Sequence, residues 1–289
     1  MERQLTAAQR GRTTLHAHLP TAGHQCQGSL WSTLEEVCTM LDIPSVSPAS
    51  GKVLFQHMQF RAGQRIHRTG QAFDTLYVVN AGFLKTTLVD ESGDEQVLGF
   101  PMKGDMLGMD GVHLRSHTSE TLALSECDLV LLPFARMKSL SRVNPDIENL
   151  MFRTMSRELA QRQAVISMLG TLSAEVRVAR FLVALSERFA ALGYSSKIFN
   201  LRMTRQEIGS YLGLTLETVS RTMSAFNETG LISVRQRMIS IVDMEALEAL
   251  RRLPPAHARA RQAGDAQDPQ AQTLRRSSTG LSPKPSASR

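Results

Sequence analysis

The chain is poor in cysteine, has one tryptophan and holds no long apolar run. Its three cysteines, Cys26, Cys38 and Cys127, are too few and too scattered for a disulfide framework, so reduced thiols are expected. No stretch approaches the roughly 18 apolar residues that a membrane-crossing helix needs. The opening MERQLTAAQRGRTTLHAHLPTAG lacks the apolar heart of a secretory signal. Both absences point to the cytoplasm and to no membrane partner. Also missing are a phosphate-cradling P-loop, a nucleophile elbow, a paired HExxH and a Gly-rich dinucleotide turn. The Asp and His residues of the first half fall in no catalytic arrangement, and an enzyme is not expected.

What is present suits two globular domains. The 289 residues are 42% hydrophobic and 21% charged, enough for two separate cores. The net charge of +6 is uneven. Residues 254–289 carry six basic against two acidic side chains, and 171–253 carry eleven against eight. Residues 51–170 balance, and the first fifty are slightly acidic. A basic C-terminal half fits a polyanionic partner, although a solvated surface alone would show the same excess.

The texture along the chain predicts an α+β protein. Residues 1–28 are polar and aperiodic and read as a flexible arm. A β-roll is expected over 29–140, opened by a helix at Leu30–Leu41 with Leu34, Val37 and Leu41 on one face. The short β-rich pieces TLYVV, FLKTTLV, EQVLGF and LVLLPF follow, separated by turns at Gly70, Gly82, Gly93, Gly104 and Gly108. A long helix then occupies 141–170. In it Phe152, Met155, Leu159, Arg162, Ile166 and Leu169 step by threes and fours, the pattern of a coiled-coil seam between two copies. A helix packed on its own domain would show the same stripe. Arg162 interrupts the seam and is within reach of Glu158 or a partner carboxylate. Residues 171–253 form a helical domain ending in a hairpin around Arg235-Gln236-Arg237 and a short helix. Residues 254–289, rich in Ala, Gln, Ser, Pro and Arg, read as a disordered basic tail.

The segment TRQEIGSYLGLTLETVSRTMSAF carries the function. Thr204 and Glu207 make a capping box, Gly213 supplies the positive φ of a tight turn, and Thr215 caps a second helix. Leu216, Val219, Met223 and Phe226 form its inward stripe, and Glu217, Ser220, Arg221 and Ser224 its outer face. A helix, a short turn and a helix with a polar outer face make a helix-turn-helix, whose second helix enters the major groove of double-stranded DNA. Arg221 suits guanine O6 and N7, Glu217 a cytosine amino group, and Ser220 or Thr218 a base or a thymine methyl. Arg205, Arg235 and Arg237 are placed for phosphates. Glu217 has a plainer use as well, since a carboxylate in a first helical turn is favoured by the helix dipole and can pair with Arg221 at i+4.

MTRQEIGSYLGLTLETVSRTMSAFNETGLI resembles the DNA-binding signature of the Crp/Fnr superfamily of bacterial regulators. The resemblance runs from about Phe55 to Leu250. Its E-x-x-S-R element, Glu217 to Arg221, is of the Fnr/FixK kind. It implies an N-terminal cyclic-nucleotide-binding-like β-roll, a dimerisation helix and a C-terminal winged helix-turn-helix. It further implies a homodimeric regulator, an activator working with RNA polymerase, on a palindrome of TTGAT-like half-sites in genes of low-oxygen or nitrogen-oxide metabolism. Arg221 and Glu217 would read a G·C pair, and Ser220 a thymine.

For each signal used in the superfamily the residues depart from the pattern. Cyclic AMP calls for a ribose-binding carboxylate, but Met109 stands where the glutamate belongs. His117 and Thr118 occupy the phosphate-binding Arg-Ser positions, and Arg115-Ser116 sits two residues early. A [4Fe–4S] cluster needs four thiolates, and Cys26, Cys38 and Cys127 are only three; Val130 stands at the distant cysteine's place. Haem stays open through His16, His18, His24 and Cys26, with His113 or His117 as a second ligand. The three cysteines are also the candidates for redox or metal chemistry, which needs a lowered thiol pKa. A regulator without a cofactor, governed by abundance, proteolysis or an upstream factor, is the expectation.

Overall fold

The computed structural model describes residues 30–252 apart from Val46, Ala49, Glu91 and Ser92. The arm at 1–28, with Cys26 and its three histidines, and the tail at 254–289 lie outside the described residues.

Among the described residues the first half is a roll of nine short strands. In chain order they are β1 (Trp31–Thr33), then helix α1 (Leu34–Met40), β2 (Leu54–Phe60), β3 (Arg65–His67), β4 (Thr75–Ala81), β5 (Leu84–Val89), β6 (Glu95–Gly99) and β7 (Met106–Leu107). A single helical turn α2 (Gly111–Leu114), β8 (Glu120–Ala123), β9 (Cys127–Pro133) and α3 (Phe134–Leu140) complete it. One antiparallel sheet has the order β1-β2-β9-β4-β7 and a second the order β3-β8-β5-β6. Phe60, Val79, Leu84 and Leu129 cluster in one apolar core of the roll. Leu34, Val37, Leu41, Leu76, Val130 and Leu150 form another, which joins α1 to the larger sheet. Gly82 makes the β4–β5 turn at φ +101°, where a Cβ would lie 2.5 Å from Cys127 Sγ and Glu126 O. Only glycine fits such a backbone.

The expected helix at Leu30–Leu41 starts four residues late. Thr33 accepts from the Glu36 N–H and Glu36 returns a carboxylate to the Thr33 N–H, a complete capping box that sets the start at Leu34. Ahead of that cap Trp31–Thr33 pairs with β2, Trp31 opposite Gln56. A buried polar chain bolts this edge to the sheet. His57 on β2 contacts Asp128 of β9 through Nδ1 at 2.9 Å and Ser32 of β1 through Nε2 at 2.8 Å. The order is that of a nucleophilic triad, but Ser32 is buried and its hydroxyl is spent on the ring. Its role is to tie three strands.

The long helix α4 (Pro145–Thr171) has Asn144 as its cap and proline in its first turn. Its root is nailed down by Asp146, 1% exposed, whose carboxylate accepts from Ser45 Oγ, the Ser47 N–H and Ser50 Oγ at 2.6–2.9 Å. After it come α5 (Ala174–Ala191), β10 (Ile198–Asn200), α6 (Arg205–Leu212), α7 (Leu216–Glu228), β11 (Ile232–Arg235), β12 (Met238–Ile241) and α8 (Met244–Arg251). β10 makes the expected hairpin a three-stranded sheet, β10-β12-β11. The Ile198–Asn200 strand is too short for its alternation to be read from sequence.

Asp146→Ala should lower stability by about 3 kcal/mol, because it strands the buried Ser50 hydroxyl and the half-buried donors of Ser45 and Ser47. Urea unfolding checks this; a loss under about 1 kcal/mol would mean that apolar contacts alone root α4.

Candidate nucleic-acid interface

Helices α6 and α7 are built by the local signals of their own sequence. Thr204 Oγ1 accepts from the Glu207 N–H at 3.1 Å, and the Glu207 carboxylate accepts from the Thr204 N–H at 2.7 Å. Gly213 ends α6 at φ 61°. Gly209 is needed for another reason: a Cβ there would meet Leu214 O at 2.7 Å, so the turn folds hard against α6. Thr215 caps α7 by accepting from the Thr218 N–H. Val219, Thr222, Met223 and Phe226 are buried beneath α7.

Glu217, Arg221 and Ser224 are exposed on the opposite face, and Ser220 is half-buried beside them. Thr218 is half-buried, its hydroxyl 3.0 Å from Thr215 Oγ1. Leu216, expected in the inward stripe, is 43% exposed. It is the first residue after the cap and overhangs the core that Val219 reaches a turn later. The i,i+4 pair between Glu217 and Arg221 does not form: neither joins an ion pair among the described residues. Arg221 is therefore free to donate outward.

The hairpin β11–β12 turns at Gln236, φ 55°, with Arg235 opposite Met238. Arg235 and Arg237 are exposed at its tip, and Arg205 is half-buried in the first turn of α6. The fold thus puts a polar helix face and a basic wing on one module.

Sequence reasoning missed what holds this module in place. The Arg177 guanidinium donates to the carbonyls of Leu169, Leu172 and Leu212 at 2.6, 2.9 and 3.0 Å, joining the end of α4 to the turn after α6. From the roll, Lys85 reaches Glu207 at 2.9 Å, and the Val97 N–H donates to Ser210 Oγ at 2.9 Å. Gln96 donates to the Ser210 carbonyl, and Arg188 pairs with Asp105. Phe100 meets Phe181 and Tyr211 edge-on across the same seam, and Phe181 and Tyr211 are tilted against each other. The hydrogen bonds and ion pairs made by the roll join residues 83 or more positions apart and have no local signature.

Beside the seam lies a cavity of about 440 Å³, walled by the roll (His67, Asp110), by α4 (Glu158, Arg162) and by Arg188 and Tyr211. Asp110 Oδ2 accepts from the N–H and hydroxyl groups of both Thr118 and Ser119 at 2.8–3.2 Å. Burial pushes its carboxyl up, but the bonds from His117 and Ser119 and the nearby His67 outweigh that and hold it well below the usual range. His67 is held down to about 4 by burial and by repulsion from His117, against the pull of Asp110. His117 is buried, whereas His113 in α2 and Arg115 just after it are exposed.

The thiols are buried in separate cores, Cys38 on the inner side of α1 and Cys127 at the start of β9. Burial, with Asp146 and Glu35 nearby, raises Cys38 to about 11. Burial also raises Cys127, against its bonds to Ser125 and Phe83. Two such thiols in two clusters do not fit a four-thiolate iron–sulfur centre.

Residues 176–250 match the Crp-like helix-turn-helix domain, and 57–144 match the cyclic nucleotide-binding domain. The transcriptional regulatory protein btr of Bordetella pertussis is 36% identical over 232 residues, covering 80% of this chain and 94% of that protein. The chain belongs to the Crp/Fnr family. The fumarate and nitrate reduction regulatory protein of Escherichia coli K12 is 38% identical over 188 residues, 65% of this chain and 75% of that protein. FixK2 of Bradyrhizobium japonicum shares the fold, with a TM-score of 0.62 at 24% identity over 68% of this chain and 96% of that one. This Crp/Fnr protein is a DNA-binding transcription regulator, and its relatives are regulators rather than enzymes. Among the described residues no helix is long and apolar enough to cross a membrane.

The Lys85–Glu207 clasp should be sensitive to acid. Burial pushes Glu207 up, but the Thr204 N–H and Lys85 outweigh this, leaving its carboxyl below the ordinary value. Burial pushes Lys85 down, but Glu207 outweighs it and raises the ammonium. A depressed carboxyl stabilises the fold above its unfolded pKa of about 4.3; a raised ammonium does so below about 10.4. The stability gap between wild type and Lys85→Met should be flat from about pH 6 to 9 and shrink below about pH 4. A gap that widens in acid, read as Tm against pH, would rule out the clasp.

Proposed function

We propose that this Crp/Fnr protein is a cytoplasmic homodimeric activator that reads a palindrome of TTGAT-like half-sites. The observation that carries the reading is the outward, unpaired Arg221 beside Glu217 and Ser220 on a capped helix. A guanidinium held this way can make the bidentate contact to guanine, and Glu217 can accept from the paired cytosine. Arg205, Arg235 and Arg237 supply phosphate contacts, with Thr218 lending its methyl rather than its engaged hydroxyl.

The dimer rests on α4. Phe152, Met155, Leu159 and Ile166 are between 47% and 69% exposed along one stripe, while Leu169 is half-buried against its own chain. Arg162 is neutralised at 2.9 Å by Glu158 of its own helix, so its charge does not bar a second copy. Two-fold pairing along α4 sets two recognition helices about one DNA turn apart. RNA polymerase as the downstream partner, and low-oxygen or nitrogen-oxide genes as targets, accord with relatives named for fumarate and nitrate reduction.

A cyclic nucleotide is disfavoured because Asp110 already holds the Thr118 and Ser119 donors and sets a carboxylate where an anionic phosphate would have to lie. Control through abundance, proteolysis or an upstream regulator accords with that wall, and haem is the competing reading.

Arg221→Ala should weaken binding to the cognate site by about 1–3 kcal/mol and relax choice at one base pair, read by binding to all single-base variants. Unchanged affinity and selection would remove Arg221 from base reading. Leu159→Glu should give monomers in sedimentation at micromolar concentration, and a persisting dimer would move the interface off α4.

A further inference from the structure

Two histidines fifty positions apart in sequence meet in the roll. His67 closes β3 and His117 precedes β8; their rings stack with centroids 3.9 Å apart and planes 3° from parallel. Asp110 Oδ1 lies 3.3 Å from His117 Nδ1. One ligand atom from each of the three lies within 4.8 Å of the others.

His67 is 2% exposed, and its Nδ1 has no hydrogen-bond partner. Its Nε2 is 3.1 Å from Thr121 Oγ1, which lies 3.0 Å from Thr86 Oγ1. When Nε2–H donates to Thr121 and Thr121 donates to Thr86, the lone pair of His67 falls on Nδ1. A buried nitrogen with an unused lone pair is costly unless something binds it.

We propose that His67, Asp110 and His117 form a site for one divalent first-row transition-metal ion. Two imidazoles and a carboxylate favour zinc, iron or nickel over magnesium and calcium, which select oxygen ligands. The supports around a metal site are in place. The Thr121 hydroxyl orients His67, and four donors from Thr118 and Ser119 fix Asp110 through Oδ2 while Oδ1 stays toward the histidines. Stacked rings hold their lone pairs in two parallel planes, so a shared ion requires one ring to turn about its Cβ–Cγ bond. His67 and Asp110 line the 440 Å³ cavity, which gives room for that turn and leaves the ion's other positions open to the cavity. The proposal is independent of which DNA sequence the protein reads.

The test uses the full chain, stripped with chelator and dialysed against Zn2+ or Mg2+. One Zn2+ per chain should be retained and no Mg2+. X-ray absorption of the wild-type zinc complex should show imidazole and oxygen neighbours; a sulfur shell would place the ion on cysteine and overturn the site. His67→Gln and Asp110→Asn should each weaken zinc binding by at least the tenfold or so that even an outer-shell partner costs. Joint replacement of His16, His18, His24 and Cys26 should leave it unchanged. No retained zinc in the wild type, or loss only in that arm variant, would refute the proposal. Circular dichroism of each metal-free variant separates a lost ligand from a lost fold, and the absorption spectrum decides without any variant.

Discussion

The geometry of the molecule hangs on the Arg177 guanidinium. The last carbonyls of a helix have no partner within it and carry the negative end of its dipole. Arg177 offers planar donors in a fixed fork, and these reach carbonyls at the end of α4 and at the turn after α6. One cation therefore satisfies two helix ends at once and sets the angle between the long helix and the recognition module. Gly213 makes this possible, since Leu169 Cδ2 and Arg177 Nη1 lie 3.2 and 3.5 Å from where its Cβ would be.

Around that junction the roll, α4 and the reading head share a surface. Glu207 caps α6 and also takes the Lys85 ammonium from the roll. Ser210 is bonded by β6, and Tyr211 touches both Phe100 and the cavity wall. A change in the cavity thus has a short path to α6: Gln96, Val97, Phe100 and Arg188 line the cavity and also touch the helix-turn-helix module or the loop packed on it. The path consists of direct contacts between packed groups, the kind of continuity that coupling between two sites requires.

Three buried or half-buried polar groups among the described residues are closely engaged by their neighbours. His57 joins three strands, Asp146 anchors α4, and Asp110 closes the loop before β8. Each spends its hydrogen-bonding capacity on groups that would otherwise be stranded, which is how a carboxylate survives in a protein interior. His67 differs, with one ring nitrogen left over beside a cavity, as does Arg157 with one guanidinium nitrogen. The thiols, by contrast, are packed as apolar groups and raised in pKa.

The sequence by itself determined the elements whose signals are local. The Thr204–Glu207 capping box, the glycine at 213, the Thr215 cap and the 3.6-residue stripe of α7 each act within a few residues, so the helix-turn-helix was legible before any coordinates. The β-rich pieces and glycine punctuation of the roll and the three-and-four spacing along α4 were legible for the same reason. Errors fell where a long-range partner decided the outcome. Trp31–Thr33 became a strand because β2 was there to pair with it, Leu216 came out of the stripe because the core ends a turn later, and β10 exists only as an edge for β12. Tertiary structure alone brought His67, Asp110 and His117 together, closed the Lys85–Glu207 clasp and aimed Arg177 at two helix ends. Such contacts depend on how layers stack across tens of residues, and no periodicity or cap within one segment encodes them.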